Sequence, residues 1–470
     1  MLRQLTQAMF GATALSARVM AKSLPMPVDT ALWAHETTNR KPPKWNSRNE
    51  VVLAAPFALL RDFSVGDDDV VPTLLFPPLA GHASCIIDKK GQSQVQLFIT
   101  MGLTKLYSFD WLSATNATKD TTEADRLDFI TRAVDLIAGS EGKVNIVGDC
   151  QGGWEATLWA TLYPDRVNTL IVAGSPIDTS AGNGPAKKLM PILIPRGNMA
   201  LYKAMVKAYG GIWPGINGVM GFIAMHPATH VAEHLKVYPH VHDREYLDHF
   251  SDFYDWYFYP VDLPGNLYLW AVEHLFVKNE LFKGELEVAG KTVSLRSITC
   301  PVFLLGGEED DITPWQQVHN MRYAIGSSLV RWHLSPGGHI GLFIGRQSQA
   351  EYWTPILAQV RELSRPGVRG AGNNEPVSTA TASSLPRAGT LRAARLLPRS
   401  ATAGPGSPTP GRRPRSPGPR RSPAGPAATP PTRSGGRATI SSATPSATSP
   451  PTPGAPAPGP RPSTPGPGPR

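Results

Sequence analysis

The chain has 470 residues and a formal net charge of +9, with 46 Lys and Arg against 37 Asp and Glu. Most of the positive charge lies in residues 366–470, which contain fourteen Arg, no Lys and one acid, Glu375. That segment carries +13 and leaves −4 on residues 1–365, so the overall charge does not indicate a basic nucleic-acid-binding domain.

Residues 1–65 are predicted to form a helical and irregular segment. Leu2, Leu5 and Met9 begin an apolar pattern at helical spacing. Because polar residues interrupt it, the pattern favours a surface helix over a signal peptide, with an anchor to a lipid or granule surface as the alternative. Residues 30–65 are predicted to be irregular. We expect no transmembrane segment, since the chain has no apolar run of about 18 residues.

Apolar runs alternate with helical patterns across residues 66–365, which is typical of an α/β domain with a mostly parallel sheet flanked by helices. The predicted strands are 71–76, 106–111, 143–147, 168–173, 302–305 and 329–334, and the predicted helices are 125–138 and 155–162. Residues 176–295 are too long for a simple crossover between two strands. They are predicted to be a helical lid inserted in this domain.

A sharp strand-to-helix turn is predicted at Gly148-Asp149-Cys150-Gln151-Gly152. The spacing is that of the G-x-S-x-G nucleophile elbow of α/β-hydrolases, with Cys150 in place of serine. Glycine is required on both sides because larger side chains would collide at the turn. The N-terminus of the following helix favours a thiolate, and the N–H of Gln151 would face an oxyanion. A buried structural cysteine beside a glycine-rich turn is the alternative.

The acid and the base of a triad are predicted downstream. In α/β-hydrolases the order along the chain is nucleophile, acid, histidine. The strand at 302–305 runs into a cluster of acids, of which Asp310 is predicted to be the triad acid and Asp311 is the alternative. His339 follows the strand at 329–334 in a glycine-rich loop and is predicted to be the base.

The remaining cysteines and histidines point to neither disulfides nor metal. Three cysteines make no disulfide framework, which indicates a reducing compartment. His226, His230 and His234 have helical spacing, but Pro227 interrupts them and no acid or cysteine partner stands out. We therefore expect no metal site.

Residues 366–470 are built from Pro, Arg, Ala, Gly, Ser and Thr and contain no aromatic residue. Such a segment cannot bury enough apolar surface to offset its ordering entropy, so a disordered tail is predicted. An arginine-rich interaction arm and a misread gene end are the alternatives.

Several short motifs occur between about residues 71 and 363: Pro78-Leu79-Ala80-Gly81-His82, Gly174-Ser175-Pro176-Ile177-Asp178, Trp213-Pro214-Gly215, Phe253-Tyr254-Asp255 and Gly338-His339. Their sequence and spacing resemble the intracellular polyhydroxybutyrate depolymerases. The elbow itself, with Gly148 before Cys150 and Gly152-Gly153 after it, resembles the related polyhydroxyalkanoate synthases, although Asp311 stands where those enzymes usually have histidine. Gln151 and Trp154 resemble a third, uncharacterised group.

The resemblance implies an α/β-hydrolase fold and a cysteine-nucleophile hydrolase of poly(3-hydroxyalkanoate) or related 3-hydroxyacyl esters. The alternative is a synthase-like acyltransferase that uses 3-hydroxyacyl-CoA, and an inactive granule coat is a third hypothesis. The oxyanion hole is expected from Gln151 and from the loop that contains Leu79, Gly81 and His82. We expect no cofactor, with coenzyme A as a candidate co-substrate.

The expected partners are a polyester or hydroxyacyl thioester, a polymer-granule surface and a second copy of the chain, with no nucleic acid. The expected location is cytoplasmic and granule-associated.

Overall fold

The computed structural model describes residues 28–66, 68–79, 81–139, 142–184, 194 and 197–365. Every described residue belongs to one compact unit of the chain. The helix predicted near the N-terminus and the tail predicted over 366–470 lie outside the described residues.

The described residues form twelve β-strands, of which eight make one central sheet in the order β1-β2-β4-β3-β5-β6-β11-β12. The strands in chain order are β1 Glu50–Ala55, β2 Ala58–Asp62, β3 Thr73–Phe76, β4 Leu106–Trp111, β5 Val144–Asp149, β6 Val167–Ala173, β7 Ile212–Trp213, β8 Leu263–Pro264, β9 Glu287–Val288, β10 Lys291–Thr292, β11 Val302–Gly307 and β12 Val330–Ser335.

The central sheet is mostly parallel. β2 is antiparallel to both of its neighbours, β1 and β4. The pairs β3–β4, β3–β5, β5–β6, β6–β11 and β11–β12 are all parallel. The carboxyl ends of the parallel strands therefore meet along one edge, where loops and helix N-termini can form a site.

The predicted strands lie within two residues of the observed bounds, because each is a compact apolar run. The prediction for residues 30–65 is wrong, since β1 and β2 in that range form a hairpin that extends the sheet. β1 lies at the sheet edge with only half-buried or exposed side chains. Its residues 51–55 are nevertheless a continuous apolar run, so the strand pattern was present in the sequence and was missed.

The helices flank the sheet and fill the long insertion. In chain order they are α1 Val28–Thr38, α2 Gln94–Thr100, α3 Glu123–Ile137, α4 Gln151–Leu162, α5 Ala200–Ala208, α6 Ile216–Met225, α7 Pro227–Leu235, α8 Arg244–Tyr257, α9 Gly265–Trp270, α10 Glu280–Lys283, α11 Trp315–His319, α12 His339–Ile344, α13 Arg346–Ser348 and α14 Thr354–Leu363. Short 3₁₀ or π turns occur at Ser84–Asp88, Pro164–Arg166, Tyr238–His240, Ala271–Val277, Leu295–Ser297, Asn320–Tyr323 and Gln349–Trp353.

Apolar side chains pack on both faces of the sheet. In β11, Val302 and Leu304 join the core on one face, and Phe303 and Leu305 join the core on the other. This alternation follows from the two-residue period of a strand, and burial on both faces is typical of a central parallel strand. Helices therefore cover both faces of the sheet.

The segment between β6 and β11 is mostly helical and contains α5 to α10. Aromatic side chains hold part of it together, and the rings of Trp213 and Tyr268 stack with centroids 3.9 Å apart. This segment, called the lid below, contacts the loop after β3, where the N–H of Val261 donates a hydrogen bond to the carbonyl oxygen of Gly81. In the part of the chain that the structure describes, no helix is long and apolar enough to cross a bilayer.

Candidate active site

Cys150 lies at the turn between β5 and α4 with φ of 52° and ψ of −122°. A non-glycine residue rarely adopts a positive φ, and such strain is often found where a reactive side chain must be exposed. The N–H of Cys150 donates a hydrogen bond of 2.9 Å to the carbonyl oxygen of Ala173, at the end of β6. The turn is thereby attached to the neighbouring strand.

The glycines around Cys150 are required by close packing. A Cβ at position 152 would lie 2.0 Å from the carbonyl oxygen of Phe76, and one at position 153 would lie 1.7 Å from Ser175 Oγ. A Cβ at position 148 would lie 2.4 Å from the Cα of Gly153. Since Cβ atoms do not tolerate such distances, the helix can approach β5 this closely only with glycine at all three positions.

The structure brings the three predicted triad side chains together. His339 Nε2 lies 3.1 Å from Cys150 Sγ, and His339 Nδ1 lies 2.7 Å from Asp310 Oδ2. His339 is the first residue of α12, and Asp310 follows β11, so both reach the sheet edge where Cys150 lies. All three residues are buried.

Backbone N–H groups orient the side chain of Asp310. Its other oxygen, Oδ1, accepts hydrogen bonds from the N–H groups of Ile312, at 3.1 Å, and Thr313, at 2.8 Å. Hydrogen bonds of this kind fix the orientation of a carboxyl group. Asp310 is therefore held with one oxygen directed at His339.

His339 is held in a state that favours its protonated form. Burial alone would lower the pKa of its imidazole, but the neighbouring Cys150 and Asp310 outweigh burial and raise that pKa well above its ordinary value. An imidazole that keeps its proton at neutral pH can share an ion pair with a cysteine thiolate.

The other two cysteines have no such neighbour. Burial raises the pKa of the Cys85 thiol to about 12 and that of the Cys300 thiol also to about 12. Both therefore remain protonated thiols at neutral pH. This contrast makes Cys150 the candidate nucleophile among the three.

The predicted oxyanion-hole residues lie on two sides of Cys150. Gln151 begins α4, so its N–H is among those that a helix leaves without an intrahelical acceptor. Leu79 is buried in the loop after β3. Gly81, with φ of 81°, and His82 pair with the lid, since His82 forms an isolated antiparallel bridge with Pro260. The role of these residues in holding an oxyanion stays a prediction.

A cavity of about 220 Å³ opens beside Cys150 and His339. Most of its walls are apolar or aromatic. The lid contributes Phe222, Ile223, Met225, Phe253, Trp256 and Tyr257, and the sheet domain contributes Pro78, Ile86, Ile87, Ile312, Ile340 and Phe343. His82 also lines it, with its ring stacked on Trp256 at a centroid distance of 4.7 Å. Such a cavity suits an apolar ligand that presents one reactive group to Cys150.

Asp149 also lines this cavity, and sequence reasoning missed it as a site residue. Only 4% of the residue is exposed, and its Oδ1 is buried without a hydrogen-bond partner. Burial raises the pKa of its carboxyl to about 7, while the nearby side chains of Gln94 and His339 act in the opposite direction. The signal was present in the sequence, since an acid directly precedes the nucleophile at the end of an otherwise apolar strand.

The three lid histidines considered as metal ligands have other neighbours. The rings of His230 and His234 lie 4.3 Å apart, and that of His234 lies 4.7 Å from Tyr254. Burial lowers the pKa of both histidines. Across the described ranges, no three or more His, Cys, Asp or Glu side chains are grouped as a metal site would require.

The chain has an α/β-hydrolase fold. This follows from the mostly parallel sheet, the strained elbow at Cys150 and the order Cys150, Asp310, His339 along the chain. A family model described as "Protein of unknown function (DUF3141)" matches residues 57–325, which is more than half of the chain. The chain belongs to this family. The match includes Cys150 and Asp310 and ends before His339.

Curated relatives have about the same low identity to this chain. The poly(3-hydroxyalkanoate) polymerase subunit PhaC of Haloferax mediterranei is 25% identical over 317 residues, covering 66% of this chain and 62% of that protein. The subunit of the same name from Synechocystis sp. is 26% identical over 292 residues, covering 60% of this chain and 75% of that protein. The chain thus spans slightly under two thirds of the length of the Haloferax relative.

Solved structures similar to this chain include alpha/beta hydrolase domain-containing protein 10 from mouse. It is 16% identical, covers 67% of this chain and 98% of its own, and has a TM-score of 0.38. A monoacylglycerol lipase from Paleococcus ferrophilus is 15% identical, covers 63% of this chain and 98% of its own, and has a TM-score of 0.40.

Proposed function

We propose that this protein is a cysteine acyltransferase that takes a 3-hydroxyacyl group from a thioester onto Cys150 and passes it to a hydroxyl acceptor. The observation that carries the proposal is the hydrogen-bonded line from Cys150 through His339 to Asp310, at the wall of an apolar cavity. The names of the PhaC relatives support the substrate class, since these proteins are called poly(3-hydroxyalkanoate) polymerase subunits.

In the first step the Cys150 thiolate attacks the carbonyl carbon of the incoming thioester. The carbon–sulfur bond to coenzyme A breaks, and the departing thiolate takes the proton that His339 holds. Coenzyme A leaves as a thiol, and an acyl thioester remains on Cys150. A thiol nucleophile suits this exchange because the attacking and leaving groups are both thiolates of similar basicity.

In the second step the neutral His339 acts as a general base. It removes the proton from the hydroxyl group of a 3-hydroxyacyl acceptor, whose oxygen attacks the acyl carbonyl. An ester bond forms, and the bond to Cys150 breaks. The thiolate and the protonated imidazole are restored together. Asp310 orients the imidazole throughout, as the acid of a triad does.

Hydrolysis of the polyester, the first expectation from the sequence, is the second candidate. It would use the same acyl-cysteine, with an ester as the acyl donor and water as the acceptor. The lid motifs that resemble the depolymerases, such as Trp213-Pro214-Gly215, favour it. The names of the PhaC relatives favour transfer.

The two candidates differ in their products. Purified protein would be given 3-hydroxybutyryl-CoA in one reaction and labelled polymer granules in another. We expect release of free coenzyme A with an insoluble product from the first, and intact-protein mass spectrometry should find an acyl adduct on Cys150. Soluble acid released from the granules would favour hydrolysis instead.

Cys150→Ala is the control, with Cys300→Ala as a matched substitution away from the cavity. We expect the first to abolish coenzyme A release and the second to leave it within about twofold. Full activity in Cys150→Ala would refute the nucleophile. A wild-type protein that is inert toward both substrates but binds granules would favour the granule-coat hypothesis.

A further inference from the structure

The side chain of Asp149 is polar and buried at the wall of the cavity beside Cys150. Its Oδ1 has no hydrogen-bond partner, although only 4% of the residue is exposed. The Gln94 amide is near enough to lower the pKa of this carboxyl, but it leaves Asp149 Oδ1 without a bond, and both of its own polar atoms are buried without a partner. Buried polar atoms in a folded protein are nearly always paired, so an orphan acceptor at a cavity wall marks a position where a ligand can supply the missing donor.

The position of Asp149 determines which ligand group it can meet. It directly precedes Cys150 and lines the cavity that contains Cys150 and His339. An acyl group on Cys150 has its carbonyl carbon bonded to sulfur, and its third carbon lies two bonds further along the chain. A hydroxyl on that carbon would remain close to the wall beside the nucleophile, whereas the rest of the chain faces apolar side chains such as Ile86 and Phe343.

Resting on the function proposed above, we infer that Asp149 accepts a hydrogen bond from the 3-hydroxyl of the acyl group on Cys150 and selects 3-hydroxyacyl groups over unsubstituted ones. The hydroxyl donates its hydrogen to a carboxylate oxygen, and no covalent bond changes. Asp149 is thus a specificity residue, while Cys150 and His339 perform the transfer.

The selectivity follows from what each substrate leaves unpaired. A 3-hydroxyacyl group supplies the donor that Asp149 lacks. An unsubstituted acyl group presents only methylene at that point and leaves the carboxylate buried, desolvated and unpaired. Sites built to hydrogen-bond a substrate hydroxyl reject analogues that lack it by factors of about 10⁴ or more. Because this carboxylate keeps a neighbouring amide, we expect a preference of at least about a hundredfold.

The test compares acylation of the full chain by 3-hydroxybutyryl-CoA and butyryl-CoA, followed as kcat/KM for adduct formation on Cys150. The wild-type protein should prefer the hydroxylated substrate by at least about a hundredfold, and Asp149→Ala should reduce the preference to within about fivefold. Asp149→Asn, which has the same shape and keeps an acceptor oxygen, should recover part of it. Ile86→Val, on the same cavity wall, should change both substrates alike and leave the ratio in place.

Three other results would contradict the role of Asp149 or the proposed function. Equal acylation of wild-type protein by both substrates would overturn the role of Asp149 while leaving the acyltransferase proposal intact. An undiminished preference in folded Asp149→Ala would do the same. Absence of any adduct with either thioester would overturn the proposed function, and this inference with it.

Discussion

His226 Nε2 in the lid lies 2.6 Å from Asp311 Oδ2, while the preceding residue, Asp310, contacts His339. Two consecutive acids after β11 thus have different partners. Asp310 is buried and orients the imidazole, whereas Asp311 is partly exposed and joins the lid to the edge of the sheet. The geometry therefore separates two carboxylates that the sequence left as alternatives for one role.

Replacing each acid by its amide should separate these two roles. In Asp310→Asn the imidazole loses its charged partner, and we expect alkylation of Cys150 by iodoacetamide at neutral pH to slow by about tenfold or more. In Asp311→Asn, alkylation should remain within about twofold, because His339 is not touched. The rates are measured by mass spectrometry of the Cys150 peptide. A slower rate in Asp311→Asn than in Asp310→Asn would show that Asp311, and not Asp310, orients the imidazole.

The three cysteines should differ sharply in reactivity in the native protein. Burial raises the pKa of Cys85 and of Cys300 to about 12, so fewer than about one in 10⁴ of either thiol is ionised at pH 7. Cys150, beside the protonated His339, should be alkylated first. Peptide mapping after brief treatment with iodoacetamide measures the order.

His339→Gln is the control for this order, because it removes the imidazolium and leaves Cys85 and Cys300 unchanged. We expect its Cys150 to react several-fold more slowly. Equal labelling of the three cysteines in the native wild-type protein would contradict the ion pair at the elbow.

The sequence predicted the buried strands well because their apolar character is local. The predicted strand 106–111 and the observed β4 have identical bounds. The order of nucleophile, acid and histidine along the chain follows from the positions of their motifs. β1 and β2 were missed although residues 51–55 and 58–60 are apolar runs of the same kind. What the runs do not specify is their antiparallel pairing, which sets Glu50 opposite Asp62 and Ala55 opposite Ala58.

The sequence does not show which residues that are distant along the chain come into contact in the fold. The position of Asp149 before the nucleophile is visible in the sequence, but only the fold shows that its Oδ1 is buried at the cavity wall without a partner. Arg126 and Glu155 are likewise unremarkable in sequence, yet α3 and α4 bring them into a bidentate pair, with Nε to Oε1 at 2.6 Å and Nη2 to Oε2 at 2.5 Å. Such contacts depend on how helices pack, which residue patterns do not specify.

Removing one partner of the buried Arg126–Glu155 pair should destabilise the protein strongly, whereas replacing both partners by apolar residues should destabilise it little. Its side chains are 3% and 1% exposed, and the guanidinium carbon lies 3.8 Å from the centre of the Trp111 ring. Arg126→Met leaves the Glu155 carboxylate buried and unpaired, so we expect a loss of about 3–5 kcal/mol in the free energy of unfolding. The double variant Arg126→Met with Glu155→Leu should recover most of it. Urea denaturation followed by circular dichroism measures both.

A matched control for that pair is on the same helix. Arg132 and Asp128 in α3 form a bridge of 3.1 Å, but their side chains are 50% and 70% exposed. Arg132→Met should therefore change stability by less than about 0.5 kcal/mol. A larger loss in Arg132→Met than in Arg126→Met would show that burial does not set the cost of these pairs.

Asp149 should reduce the stability of the protein at neutral pH. Its pKa is about 7 in the folded chain against an ordinary value of 3.8, so between these values the folded state holds a proton that the unfolded state has lost. Stability therefore falls as pH rises through this window, and the fall amounts to roughly 4 kcal/mol at about 1.4 kcal/mol for each pH unit.

Asp149→Asn removes the titration. The difference in unfolding free energy between the variant and the wild-type protein should be smallest near pH 4. It should then grow in favour of the variant up to pH 7–8. Urea unfolding at several pH values measures the difference, with Asp128→Asn on the exposed face of α3 as the control. A difference between Asp149→Asn and the wild-type protein that does not change with pH would show that the Asp149 carboxyl is already ionised when the chain folds.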